Sequence, residues 1–335
     1  MFRSIAAVIV LLAASTQAHA LTTVYATSVY GTSGTVATPS RALGAPTFAP
    51  IFGPVTPFNP PFASGELVSI AEERLRTAEA LNASVARRVA AARDPVMAGA
   101  RADIAVDPLE GTTLCAKNQP DSICVLAMAE RGGLLNAPDV YMQKLAIGGG
   151  YPPGTVDLDW SPSENIQSLA RAKGVPVSEI TVCVLDRPRH GALIEELRTT
   201  GASLKLISDG DIAGVIHATN SEETGIDIYL GSGGAPEGVL AAAALRCVGG
   251  QMQGRLILDT DGKRERARRM GITDPGRKYE VNDLASGDVL FAATGVTDGN
   301  LLDGVRFNRD AIVTSTVVMR SWTQTVRWIK AKHRR

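Results

Sequence analysis

Residues 180–185 read ITVCVL, a stretch in which Thr181 is the only polar side chain. A half-exposed strand alternates apolar and polar positions, whereas a run that is apolar on both faces must be covered on both. Such strands belong to parallel sheets with helices packed against them. This one runs directly into DRPRH (186–190). It is followed by the helical stretch ALIEELRTTG and a second short apolar strand, SLKLI (203–207), ending in SDGD. Further on, DIYL leads into GSGGAPEG (231–238), expected as a glycine-rich turn, and then into a helix over VLAAAALRCV. PSENIQSLARAKG carries a Ser cap and helical spacing up to Gly174. Strands alternating with helices, each strand ending in a polar motif, predict a layered α/β fold with its site along one sheet edge.

Composition narrows the function class. Lys and Arg number 34 and Asp and Glu also 34, so no net field argues for nucleic acid or an anionic membrane. Glycines number 33 while aromatics make up only 5%, which suits a loop-rich enzyme better than a base-stacking platform. Cys115, Cys124, Cys183 and Cys247 have no C-x-x-C spacing and lie among apolar neighbours, the pattern of buried, reduced thiols. No run reaches the roughly 18 to 20 apolar residues of a membrane span.

The chain divides into four parts. Residues 1–20 carry Arg3, an apolar run and Ala18-His19-Ala20, which resembles a secretory signal. Residues 21–65 hold one charge, Arg41, and many prolines, and read as linker rather than helix or central strand. Residues 66–100 contain a helical pattern, with acids early and arginines late, and no catalytic motif. All chemistry-bearing motifs fall in residues 101–330.

The first of these is DPLEGTT (107–113), after the strand-like DIAV. Pro108 is expected to stop that strand and to leave Asp107 at its end and Glu110 in the following turn. Clustered carboxylate oxygens suit hard cations such as Mg²⁺ or Mn²⁺, which often share them with phosphates. Gly111 admits a close approach of the backbone, and Thr112 sets a hydroxyl beside the two acids. Past a Pro138-Asp139 turn come Tyr141 and, three residues on, Lys144. Arg187 and Arg189 flank Pro188, an arrangement suited to clamping phosphate. Asp209 and Asp211 offer acceptors for sugar hydroxyls or a cation. Gly233 and Gly234 precede a helix start, which favours anions, and Glu237 is a third candidate metal carboxylate. Each motif alone also fits a structural reading: a solvated turn, a surface Arg pair, an Asx turn, a helix N-terminus with a favourable acid. His190 fits a local structural role as well as a site role. Together, each after a strand, they point to a metal-assisted phosphate site.

The words DIAVDPLEGT, LNAPDVYMQKL, RPRH, DGD, GSGGAPEGVLAAAALRC, GRL, FAATGVTDGNLLDGV and TSTVVMRS occur in this order. In them the chain resembles the class II fructose-1,6-bisphosphatase family over residues 101 to about 330. The resemblance implies the α/β sugar-phosphatase fold shared with inositol monophosphatases, here with its N-terminal layer missing or replaced. It implies hydrolysis of the 1-phosphate of fructose 1,6-bisphosphate, in gluconeogenesis and in glycerol and carbohydrate metabolism. It further implies Mn²⁺ or Mg²⁺ held in part by Asp107, Glu110 and Glu237. Implied substrate contacts are Glu110-Gly111-Thr112, Tyr141, Arg187-Pro188-Arg189, Asp209-Gly210-Asp211 and Gly234. Asp107, Glu110 and Thr112 carry the implied chemistry, with Thr112 orienting or helping to deprotonate the attacking water. A cytoplasmic homo-oligomer, dimer or tetramer, with a small sugar bisphosphate as its partner and neither nucleic acid nor membrane, completes that picture.

Family members also carry G-R-G-D-K and, later, G-E-G-E-x-D-E-A-P, which supply further carboxylates, and neither word occurs in this sequence. The matching words begin abruptly near Arg101. The Ala- and Arg-rich stretch upstream reads as a frameshift, a misassigned start or a fusion, and export is the alternative if the signal-like start is genuine. Three functional readings follow: a fructose-1,6-bisphosphatase weakened as written, an inactive sugar-phosphate-binding remnant, and a phosphatase for sedoheptulose 1,7-bisphosphate or inositol phosphates.

Overall fold

The computed structural model describes residues 21–28 and 100–334. The signal-like segment, the helical pattern of 66–94 and nearly all of the proline-rich stretch lie outside the described residues.

Among the described residues, thirteen strands form two sheets. They are β1 (Leu21–Ser28), β2 (Ala100–Glu110), β3 (Ile123–Glu130), β4 (Tyr141–Ile147), β5 (Thr181–Leu185), β6 (Ser203–Ile207) and β7 (Ile228–Gly234). After them come β8 (Gln251–Leu256), β9 (Tyr279–Glu280), β10 (Leu290–Gly295), β11 (Arg306–Phe307), β12 (Ala311–Arg320) and β13 (Thr325–Arg334). The first sheet runs β1-β2-β3-β10-β12-β11, with β13 also on β12, and the second runs β6-β5-β7-β4-β8-β9. Within the stretch read as linker, 21–65, the described residues are those of β1. Its LTTVYATS sequence is free of proline and rich in β-branched residues, and it pairs in parallel at the sheet edge.

The parallel core expected from ITVCVL is present: β5 pairs in parallel with β6 on one side and β7 on the other. Helices α1 (Thr112–Ala116), α2 (Pro162–Lys173), α3 (Gly191–Thr199), α4 (Asp211–His217), α5 (Ser221–Thr224), α6 (Ala235–Val248), α7 (Asp261–Arg269) and α8 (Val281–Leu284) complete the fold. α2 starts on the Ser161–Glu164 capping box and stops at Gly174 in the left-handed conformation, as its sequence predicts.

α6 occupies the centre. Residues 239–245 of VLAAAAL are all buried, and the helix touches strands of both sheets. A helix that is apolar on every side belongs in the middle of a protein, and its run of alanines lets two sheets approach it closely. Val239, Leu240 and Leu245 join Phe291, Val317, Met142 and Ala146 in the core between the sheets. A smaller core on the far side of the second sheet joins Leu145, Ile147, Val182 and Val184 to Ile166, Leu169, Ile194 and Leu197 of α2 and α3. Each fully buried leucine contributes about 1.5–3 kcal/mol of transfer free energy.

Two local expectations are corrected. Pro108 does not end its strand: β2 continues to Glu110 through a register shift between Asp107 and Glu110. A bulge leaves a residue outside the ladder, where the missing N–H of proline costs nothing. GSGG is likewise no turn. β7 extends through Gly234, and α6 begins at Ala235. Glycines are demanded there by side chains that press on the backbone, described below.

Among the described residues no helix is long and apolar enough to cross a membrane. The four cysteines are free thiols, and burial pushes the Cys124 thiol up to about 12.

Candidate sugar-phosphate site

The end of β2, the start of α4, the β7–α6 junction and the middle of β4 converge. β2 ends in Asp107 and Glu110, both buried. Gly111 then turns in the left-handed region (φ 73), and α1 starts at Thr112. β6 leads to Asp209, and Gly210 turns in the same region (φ 81) before Asp211 opens α4. Two backbone donors lock these loops together. The Ile212 N–H donates to Glu110 Oε1 at 3.1 Å, and the Thr113 N–H donates to Asp209 Oδ2 at 3.0 Å. Leu114 wedges between the loops: a Cβ on Gly111 would lie 2.9 Å from its Cδ1, and one on Gly210 3.2 Å from the same atom. Glycine is required at both corners by conformation and by space.

The glycines before α6 answer to acids. A Cβ on Gly233 would overlap the Asp211 carboxylate, and one on Gly234 would overlap the carboxylate of Glu237 in the first turn of α6. Asp211 is paired with Lys144 of β4, whose side chain is fully buried. Asp107, Glu110, Asp211 and Glu237 thus lie near enough for their charges to act on one another, with the buried Lys144 ammonium beside Asp211.

That proximity shows in their protonation. Burial is the main force raising the Glu110 carboxyl well above its usual range, with the charges of Asp211, Asp107 and Glu237 adding to it. Asp107 is raised by burial and by Asp211 and Asp209, against a lowering hydrogen bond from the Leu109 N–H. Glu237 is raised by burial, partly offset by Lys144. A cluster that resists full ionisation for want of positive charge, offering only oxygen donors, fits a hard divalent cation. Asp107, Glu110 and Glu237 each offer that donor chemistry. Among the described residues, however, no three His, Cys, Asp or Glu side chains converge closely enough to enclose an ion.

The two arginines of DRPRH flank a short 3₁₀ turn, Pro188–His190. Arg187 Nη2 donates to Asp209 Oδ1 at 3.1 Å. The Arg189 guanidinium donates through Nη2 to the Ser232 carbonyl at 2.8 Å and lies 4.7 Å over the exposed Tyr141 ring. His190, open between two roles in the sequence, is buried and structural. Its Nδ1–H donates to the Leu185 carbonyl and its Nε2 accepts from the Ser232 N–H, both at 2.8 Å. Burial holds its pKa below the usual value, so the neutral ring bolts the arginine turn to β7.

The structure brings several of the residues expected to contact substrate or metal together through Glu110–Ile212, Asp209–Thr113, Arg187–Asp209 and Lys144–Asp211. Asp107, Glu110, Gly111, Asp209, Gly210, Asp211, Gly234 and Glu237 gather round the acidic pocket. Thr112 lies exposed at the start of α1, Arg187 reaches Asp209, Tyr141 pairs with Gly234 in the sheet, and Arg189, beyond Pro188, reaches Ser232 and Tyr141. Sequence reasoning missed Ser232, the shared partner of Arg189 and His190, and the place of Lys144. The latter had a legible signal: Lys144 follows Met142 by two residues in an apolar strand and so shares its inward face.

The family profile described as "Bacterial fructose-1,6-bisphosphatase, glpX-encoded" matches residues 68–333, beginning upstream of Arg101. A "D-fructose 1,6-bisphosphatase class 2/sedoheptulose 1,7-bisphosphatase" of Synechococcus sp. (strain JA-3-3Ab) is 48% identical over 247 residues, which cover 69% of this chain and 70% of the relative. A protein of the same description from Prochlorococcus marinus (strain NATL1A) is 46% identical over 252 residues, covering 70% and 74%. Another, from Synechococcus elongatus, is 47% identical over 247 residues, covering 69% and 70%.

Proposed function

The chain belongs to the bacterial fructose-1,6-bisphosphatase family, and from that premise we propose that it hydrolyses the 1-phosphate of fructose 1,6-bisphosphate with Mn²⁺ or Mg²⁺. The observation that carries this reading is the knitting of EGTT to DGDI by the Glu110–Ile212 and Asp209–Thr113 hydrogen bonds, which supports two acidic motifs acting together.

In this reading Asp107, Glu110 and Glu237 would hold the cation, which would supply charge neutralisation and water activation when bound. Arg187 and Arg189 clamp a phosphate, and Tyr141 closes over Arg189 at the rim. Asp211 accepts from sugar hydroxyls, Gly111 and Gly234 let the substrate approach the backbone, and the Thr112 hydroxyl orients the attacking water and takes part in moving its proton. The protein's share of catalysis is mostly positioning and electrostatics. A cytoplasmic setting agrees with cysteines that build no disulfide framework.

The names of the relatives favour one second reading, sedoheptulose 1,7-bisphosphate as a further substrate of the same site. Phosphate release measured over fructose 1,6-bisphosphate, sedoheptulose 1,7-bisphosphate and inositol monophosphate, with and without Mn²⁺, decides between them. Metal-dependent release from the first is expected. Undiminished release in excess chelator, or release from inositol monophosphate alone, would overturn the proposal.

A further inference from the structure

The last residue of β2 is Glu110, and its carbonyl is held by a side chain from the residue before β3. Ser122 Oγ–H donates to that carbonyl at 2.9 Å. The register shift between Asp107 and Glu110 has just put β2 out of step with β3, and Ser122 fastens the strand end beyond it. Ser122 is fully buried, and its Cα lies 3.5 Å from where a Cβ on Gly111 would sit. It therefore backs the corner from which Thr112 departs. Glu110 is gripped at both ends, its carbonyl by Ser122 and its carboxylate by the Ile212 N–H.

Ser122 is in turn set from outside the site. Its N–H donates to Thr297 Oγ1 at 3.0 Å, and its carbonyl accepts from the Val296 N–H at 2.8 Å and the Thr297 N–H at 3.2 Å. Thr297, also buried, belongs to the loop between β10 and β11, residues 296–305, which locks onto itself. Within it the Gly304 N–H donates to Asp298 Oδ1, the Gly299 N–H to the Leu302 carbonyl and the Val305 N–H to the Val296 carbonyl. The loop also accepts the Asp121 N–H on the Asp298 carbonyl at 2.9 Å, and its Asn300 N–H donates to Asp121 Oδ1 at 2.8 Å. A Cβ on Gly299 would lie 2.3 Å from that oxygen, so glycine admits the carboxylate. Packing at position 122 asks only for a small residue, and a buried hydroxyl is costly unless it is bonded. The bond it makes is the one to Glu110. We infer that Ser122 and Thr297 are positioning residues: the self-locked loop sets Ser122, and Ser122 sets the Glu110 backbone and the Gly111 corner, so that the Glu110 carboxylate and the Thr112 hydroxyl are presented at fixed places. The inference rests on the function proposed above and names what aligns two of its residues.

The test uses the full chain as wild type, as Ser122→Ala, which frees the Glu110 carbonyl, as Thr297→Val, which removes the acceptor at similar volume, and as Thr297→Ser, which returns it. Phosphate release from fructose 1,6-bisphosphate in saturating Mn²⁺ gives kcat and KM. Amide hydrogen exchange is read at Ile212, against Val184 of β5 as the measure of whole-chain opening. Ser122→Ala and Thr297→Val are expected to lower kcat about tenfold with KM little changed, inside the roughly 10²-fold that a misplacement of about 1 Å can cost. The Ile212 amide should exchange about tenfold faster relative to Val184, because the carboxylate it donates to is no longer held in place. Thr297→Ser should restore both readings. A merely structural pair would, on its loss, lower the melting temperature while kcat and the Ile212-to-Val184 ratio keep their wild-type values, and that result overturns the inference. So does a Thr297→Ser protein that stays as impaired as Thr297→Val. If Ser122→Ala does not fold, Thr297→Val and its serine rescue decide on the same two readings. Wild type that releases no phosphate from fructose 1,6-bisphosphate sinks the proposed function, whereas normal release by every variant sinks the positioning role alone.

Discussion

Across 102 residues of chain, the Ile212 N–H donates to the Glu110 carboxylate at 3.1 Å. The bond fixes Glu110 where neighbouring acids and burial hold its carboxyl well above the ordinary range. Glu110→Gln keeps an oxygen for that N–H and removes the charge. Its affinity for Mn²⁺ should fall at least about tenfold, or about 1.4 kcal/mol.

The same shift predicts a pH dependence. A carboxyl raised in the folded state favours folding below its unfolded value, near 4.5 for Glu110, and loses that contribution as pH rises, because the folded state holds the proton longer. In chelator, wild type should therefore lose melting temperature relative to Glu110→Gln as pH climbs from about 4 to about 8, and Mn²⁺ should restore it. A difference that stays constant with pH would show that the carboxyl ionises as freely in the fold as out of it.

Gly233→Ala and Gly234→Ala place a methyl group inside the carboxylates of Asp211 and Glu237 respectively. Overpacking costs about 1–3 kcal/mol where the neighbour is held in place, as Asp211 is by Lys144, whereas the Glu237 carboxylate can swing aside at smaller cost. The two should separate in ligand binding, with Gly234→Ala impairing Mn²⁺ and Gly233→Ala impairing fructose 6-phosphate. Equal effects on both ligands would mean that the two acids work as a unit.

These glycines show what the sequence conceals. GSGG reads as a turn ahead of an anion-favouring helix start, because glycine clusters usually punctuate strands. What requires Gly233 is Asp211, carried in on a different element, and what requires Gly234 is Glu237, in the first turn of the helix that follows. Pro108 likewise reads as a strand stop until the register shift beside Asp107 shows where its missing N–H is tolerated. The parallel strand at ITVCVL, the α2 caps and the motif residues were legible, since periodicity and residue type are local. Ser232, Lys144 and the Ile212 and Thr113 donors act across tens of residues of chain, and no window on the sequence brings them together.

His190→Ala would leave the Leu185 carbonyl and the Ser232 N–H without the ring that joins them. Buried groups so exposed cost about 1–3 kcal/mol. Its pKa lies below the usual 6.5, so its contribution is complete above that value and is lost as pH falls through the lower folded pKa. Wild type should therefore lose more stability on acidification than His190→Ala. Parallel melting curves for the two proteins across that range would rule out a buried neutral ring.

Arg187→Ala and Arg189→Ala are expected chiefly to raise KM for fructose 1,6-bisphosphate with kcat largely kept, since a clamp on a non-reacting phosphate acts equally in ground and transition states. Lysine should not rescue Arg189, because one planar group both hydrogen-bonds the Ser232 carbonyl and covers Tyr141. A fall in kcat at unchanged KM would move the arginines to the reacting phosphate.

Thr112 stands exposed at the start of α1, directly after the Gly111 corner and beside the acids. Its backbone is held by Gly111 before it and by the Thr113–Asp209 hydrogen bond after it, so the hydroxyl can be removed without disturbing the loop. In the proposed reaction that hydroxyl orients the attacking water and passes on its proton. Thr112→Ala should cut kcat by about 10² or more, the usual scale for a positioned proton-transfer group, and leave Mn²⁺ affinity and KM nearly unchanged. Thr112→Ser, which restores the hydroxyl without the methyl, should recover most of the rate. The comparison depends on the background in which it is made. The G-E-G-E carboxylates that would receive the proton are absent from this sequence, so the Thr112→Ala loss should be large only in a chain into which that segment has been built, and slight in the present one. Equal losses of kcat in both chains would mean that Thr112 acts without a carboxylate partner from that segment.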